Sequence, residues 1–68
     1  MPVPRGNMKV RELMRLIEKD GWALVRTKGD HRHYRHETKR GIVTIAGHPG
    51  EDVKAGTLNS ILKQAGLK

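Results

Sequence analysis

The side chains in this 68-residue sequence best suited to proton transfer or metal ligation are four histidines, His31, His33, His36 and His48; there is no cysteine. His31 and His33 are two residues apart, which on a strand sets both rings on one face. Such a pair can begin a zinc site. Closed tetrahedral sites take four ligands and catalytic ones usually three, and His36 falls on the other face, so no metal ligands are assigned. His33 and His36 read as polar positions on an exposed strand. His48 sits in a loop, where it is either structural or helps to position a ligand.

His31 differs by its place. It ends the run Lys28-Gly29-Asp30-His31, a Gly-Asp pair between two strand-like segments. That is a tight-hairpin signal, because glycine adopts positive φ without steric cost. Lys28 and His31 would then close the hairpin face to face. An RNA phosphodiester carries its own nucleophile, the 2′-hydroxyl. Cleavage requires removal of that proton, stabilisation of the developing charge and protonation of the leaving oxygen. Histidine suits both proton steps near neutral pH, and Lys28 would hold the phosphate as a point charge. A histidine beside a turn is more often an ordinary surface residue, and spacing alone does not separate the two readings. The segment from Gly50 to Thr57 lacks the Gly-Lys pair of a phosphate loop, and Ser60 has no evident base.

The elements that must hold this corner follow from periodicity. Val10, Leu13, Met14 and Ile17 recur at i, i+3, i+4 and i+7, the apolar stripe of a helix capped by Asn7 and stopped by Gly21. Arg11, Arg15 and Lys19 form a row on its outer face, either simply solvated or contacting phosphate or a partner protein. Residues 22–27, 31–37 and 42–46 read as three strands, with the second turn at Lys39-Arg-Gly41. Residues 47–56 read as a loop. Leu58, Ile61, Leu62 and Ala65 repeat the helical stripe, with Gly56 or Thr57 as the cap and Gly66 at the exit.

The expected fold is therefore α+β, in the order α-β-β-β-α. Its three-stranded antiparallel sheet has both helices on one face. Residues 1–7 form a lead-in and residues 8–68 the domain. If Tyr34 points into the core, alternation sends His31, His33 and Arg35 to the open face. The outer strands carry apolar residues on both faces and are not oriented by their pattern.

Fourteen Lys and Arg against seven Asp and Glu give a net charge of +7. That balance points to a polyanionic partner. Trp22 and Tyr34 are the only aromatic residues, which disfavours readers that stack bases on exposed rings and favours backbone contacts. No apolar run is long enough to span a bilayer. The start lacks the apolar core of a signal peptide. With no cysteine, the chain is expected in a reducing cytoplasm, with no membrane and no small-molecule cofactor.

Three segments carry a resemblance to a known family: Lys9-Val-Arg-Glu-Leu13 through Glu18-Lys-Asp-Gly-Trp22, then Arg26-Thr-Lys-Gly-Asp-His31, then Gly56-Thr-Leu-Asn-Ser-Ile-Leu-Lys-Gln-Ala-Gly66. Val43-Thr-Ile45 and His48 fall between them in matching order. Over residues 8–68 the sequence resembles the HicA toxin family. The resemblance implies a fold like that of double-stranded-RNA-binding domains. It implies a metal-independent endoribonuclease acting on mRNA, with His31 catalytic as general acid and base. Arg26, Lys28, His33 and Arg35 are then expected to bind RNA phosphate, and Gly29 and Asp30 to form the turn presenting the site. It also implies a HicB-like antitoxin partner. The alternative is a non-catalytic RNA-binding module using the same basic surface. Where the family usually has serine, this sequence has Asp30, whose charge is expected to repel the RNA backbone and slow cleavage.

Overall fold

The computed structural model describes residues 8–68. In chain order the elements are β1 (Met8–Lys9), α1 (Val10–Lys19), β2 (Ala23–Lys28), β3 (His31–Arg35), β4 (Val43–Ala46), β5 (Asp52–Val53) and α2 (Ala55–Gln64). The α-β-β-β-α order is as expected, with β2, β3 and β4 forming one antiparallel sheet in that sequence. A second, two-stranded ribbon pairs β1 with β5. Two-residue strands have no periodicity to read: β5 falls within the expected loop, and β1 where the first helix was expected to begin.

The first helix holds its whole apolar stripe but begins later than the expected cap indicated. Asn7, the expected cap, lies outside the described residues; Lys9 holds the cap position, and its N–H donates to Glu12 Oε1 at 3.0 Å. Both helices end in the same way. Gly21 and Gly66 adopt positive φ, +105° and +73°. At α1, Gly21 N–H bonds Glu18 O and Trp22 N–H bonds Ile17 O; at α2, Gly66 N–H bonds Lys63 O and Leu67 N–H bonds Leu62 O. This pair of reverse bonds satisfies the last carbonyls of each helix. The start of α2 corrects the sequence reading. Its cap is Lys54, not Gly56 or Thr57, because Val53 is drawn into β5 and the core and the chain turns into the helix at once, with Leu58 N–H closing on Lys54 O at 2.8 Å.

The core gathers Val10, Leu13 and Ile17 of α1, Ile61 and Ala65 at α2, Val53, and Trp22, Tyr34, Val43 and Ile45 at the sheet. Each large apolar side chain buried this way contributes about 1.5–3 kcal/mol. Tyr34 and Val43 are cross-strand partners, as are Arg32 and Ile45. The helices therefore both cover the sheet face that bears Tyr34. They sit over β3 and β4 and leave β2 bare: Leu24 shares the Tyr34 face yet is 47% exposed. The Tyr34 hydroxyl is buried without a hydrogen-bond partner, and burial, with the Glu18 charge nearby, raises the phenol above its ordinary value of 10.0.

His36 is not the exposed strand residue it was read as. It follows β3 and locks the far end of the molecule. Its Nδ1 accepts the N–H of Thr38 and of Lys39 at 3.0 and 3.2 Å, so Nε2 carries the proton and donates to Asp20 O at 2.6 Å. The ring also meets Trp22 edge-on, centroids 5.3 Å apart. A Cβ at Gly21 would come within 2.7 Å of His36 Nε2, so that approach needs glycine. The Lys39 ammonium bonds both the Asp20 carboxylate and Ala65 O, while Trp22 Nε1–H donates to Ala65 O. Its hydrogen bond holds the Asp20 carboxyl below its ordinary value of 3.8. The C-terminal ends of both helices and the β3–β4 turn are thus tied together.

His36→Ala is predicted to lower unfolding free energy by about 1–3 kcal/mol, since it removes the ring's bonds to the backbone of Asp20, Thr38 and Lys39, two of them part-buried, and its edge contact with Trp22. His48→Ala, at an exposed loop position, should stay within about 0.5 kcal/mol of the parent. Urea unfolding of both variants checks this; equal stabilities would remove the lock.

Candidate nucleic-acid interface

The corner that carries His31 is built by a glycine. Gly29 sits at φ +60° with open space around its Cα, and among the described residues no non-glycine has positive φ. Glycine at the first central position with an ordinary second residue matches a type II′ hairpin turn, whose twist suits the flanking strands. Lys28 and His31 are direct cross-strand partners, and His31 is in turn paired with Ala46 on β4. The next row along the same face is Arg26, His33 and Thr44, and beyond it Ala23 faces Arg35. Directly opposed residues in an antiparallel pair share a face with Cβ atoms about 4.5–5.5 Å apart. Arg26, Lys28, His31, His33 and Arg35 therefore occupy the single sheet face that the helices leave open.

A bulge between Leu24 and Arg26 makes this possible. One extra residue on β2 shifts its alternation. It brings Arg26 and Lys28 onto the open face while Leu24 stays on the Tyr34 side. Sequence alternation alone does not reveal the bulge, which is why β2 resisted orientation.

His31 is well exposed: its side chain is 55% accessible, and Nδ1 lies 3.0 Å from Asp30 Oδ1. His33 is half-buried, with Nδ1 3.0 Å from Thr44 Oγ1, so one of its ring nitrogens is engaged inside the sheet. Thr44 was not anticipated as a site residue. Nor were Arg32 and Gly47, which fix the corner from behind. Gly47 N–H donates to Asp30 O at 3.0 Å, and Arg32 Nη1 donates to Gly47 O at 2.8 Å. Arg32 points to the face opposite His31, so its guanidinium is a brace and not part of the cationic surface. The available signal was Gly47 itself, which adopts φ +105°.

His48 follows that glycine. It is exposed, its N–H bonds Glu51 Oε1 at 3.2 Å, and its ring comes no closer than 3.9 Å to the same carboxylate. Among the described residues, no three or more His, Cys, Asp or Glu side chains are grouped to hold a metal ion, and no helix is long and apolar enough to cross a membrane. An open pocket of about 250 Å³ lies between β4 and α2, lined by Val10, Ile45, Val53 and Ile61 with Lys54 and Thr57. No histidine lines it. Arg11, Arg15 and Lys19 are exposed on α1, which covers the opposite side of the sheet from His31.

Comparison with known proteins gives one family. The family model described as HicA toxin of bacterial toxin-antitoxin matches residues 10–67, nearly the whole chain. No curated protein matches it.

Arg32→Ala is predicted to speed hydrogen exchange at the Gly47 amide about tenfold, equivalent to ~1.4 kcal/mol of local stability, because the carbonyl on the same residue loses a charged donor. Unchanged exchange would show that the brace does not hold the corner.

Proposed function

This chain belongs to the HicA toxin family of bacterial toxin–antitoxin systems, and from that premise we propose that it is an endoribonuclease that cleaves mRNA with His31 as general acid and base. The observation that carries the reading is the exposed His31 ring at a rigid hairpin corner, directly across from Lys28 and on one face with Arg26, His33 and Arg35.

In this reading the RNA backbone lies along the open sheet face. Arg26 and Lys28 on β2, and Arg35 on β3, neutralise phosphates, and His33 adds a polar contact whose orientation Thr44 sets. Arginine offers a planar fork to phosphate oxygens and lysine a mobile point charge, so the two types grip the backbone without reading base identity. The His31 ring takes the proton from the 2′-oxygen as that oxygen attacks phosphorus. The new bond closes a 2′,3′-cyclic phosphodiester and the bond from phosphorus to the 5′-oxygen breaks. The imidazolium then returns its proton to the departing 5′-oxygen, leaving the ring as it began. No protein–RNA covalent bond forms, and the balance of this step needs no metal or cofactor.

Family membership brings with it a HicB-type antitoxin. The toxin's net charge of +7 favours an acidic partner surface, and the reading has the antitoxin silence the toxin by covering the open face. The cytoplasm, where mRNA is translated, is the compartment in which this activity would act.

His31→Ala is the direct test. The side chain is exposed, so the variant is expected to fold and to bind RNA within a few-fold of the parent. Its cleavage should fall at least about a hundredfold, the usual lower range for losing an acid–base group, and growth arrest on expression should disappear. Cleavage and arrest equal to the parent would remove His31 from the mechanism.

A further inference from the structure

We infer that Asp30 is a positioning residue for His31, holding the ring proton on Nδ1 so that Nε2 faces the RNA as a free base. The inference rests on the reading of His31 as the proton-transfer group and reverses the expectation that a carboxylate at this place only hinders.

The geometry is direct. Asp30 Oδ1 lies 3.0 Å from His31 Nδ1. A carboxylate accepts hydrogen bonds and donates none, so a neutral ring that pairs with Asp30 at this distance keeps its proton on Nδ1 and its lone pair on Nε2. A free histidine side chain in water favours the other tautomer, with the proton on Nε2. That form would present a donor, not a base, from the outer nitrogen. Neighbouring residues within a strand point to opposite faces and cannot pair in this way. Asp30 can, because it is the second residue of the turn and precedes the first residue of β3.

The backbone that bears the carboxylate is also held in place. Asp30 O accepts the Gly47 N–H at 3.0 Å, and Arg32 fixes Gly47 through its carbonyl at 2.8 Å. The backbone from which the Asp30 side chain projects is thereby tied to β4 as well as to β2. Lys28 is the cross-strand partner of His31, so the two side chains leave the sheet on the same face. The negative charge of Asp30 thus lies beside the imidazole, and in this proposal Lys28 is left to hold the phosphate.

In the reaction, Nε2 takes the proton from the 2′-oxygen and the ring becomes an imidazolium with both nitrogens protonated. Asp30 then accepts from Nδ1–H of a cation, a stronger bond than that to the neutral ring. When the proton leaves Nε2 for the 5′-oxygen the starting tautomer returns. Asp30 stays a carboxylate throughout and exchanges no proton.

The test uses the full chain, the ¹⁵N shifts of the His31 ring at a pH where it is neutral, and cleavage of a model RNA by the parent, Asp30→Ala and Asp30→Asn. The parent should show a protonated Nδ1 and an unprotonated Nε2. Asp30→Ala should move the ring toward the Nε2-protonated form and lower cleavage about tenfold, a modest share of the 10² to 10⁴ worth of an acid–base group. Asp30→Asn, whose amide oxygen accepts the same Nδ1–H, should retain the parent tautomer and recover part of the rate. A parent ring protonated on Nε2, or an alanine variant that cleaves as fast as the parent or faster, would overturn the positioning role. The spectra are recorded without RNA, so a parent that shows the Nδ1 tautomer but cuts no RNA defeats the nuclease reading alone.

Discussion

The hairpin corner is held in place by one backbone hydrogen bond, from the Gly47 amide to the Asp30 carbonyl. A two-residue turn at the end of two exposed strands would ordinarily fray, since loop tips open at little cost. Here the tip is stitched across to the exit of β4, and Arg32 reaches round to hold the far side of the same glycine. His31 is consequently fixed from three sides: by Lys28, by Ala46 and through its own neighbour Asp30. A catalytic group must be held close to its productive geometry by the structure behind it, and in so small a protein these few bonds take the place of a deep active-site cleft.

The rest of the fold divides labour between the two sheet faces. The helices cover β3 and β4 and bury Tyr34, Val43 and Ile45, while the lock of His36, Asp20, Lys39 and Trp22 ties down the end of the molecule opposite the hairpin. The two histidines close in sequence to His31 thus have separate tasks. His36 supports the scaffold and His33 bonds within the sheet to Thr44. A domain of this size buries only about 60% of its unfolded surface, so it leaves one face of its sheet bare. Basic residues crowd that face, and their mutual repulsion disfavours self-association through it.

Most of the scaffold could be read from the sequence. Helical spacing marked both helices because three or four apolar residues repeat on each stripe, and Gly29-Asp30 marked the hairpin because a two-residue loop admits few sequences. Tyr34 fixed the facing of β3. What escaped reading depends on contacts distant in sequence. The bulge at Leu24 to Arg26, which swings two cations onto the open face, leaves no trace in a hydrophobic pattern. The β1–β5 ribbon is too short for one. His36 looked like any polar residue near a strand end, and only its meeting with Asp20 and Trp22 reveals its task. Asp30 could be judged only by its charge until its distance to the His31 ring was known.

The central claim is that RNA lies along the open face of the sheet. It is tested most directly by titrating the isotope-labelled protein with a 2′-O-methyl RNA oligonucleotide, which cannot be cut, and following every amide and imidazole resonance. The account predicts shifts concentrated on Arg26, Lys28, His31, His33 and Arg35. Shifts concentrated instead on Arg11, Arg15 and Lys19 of the first helix, with the hairpin corner unmoved, would contradict it.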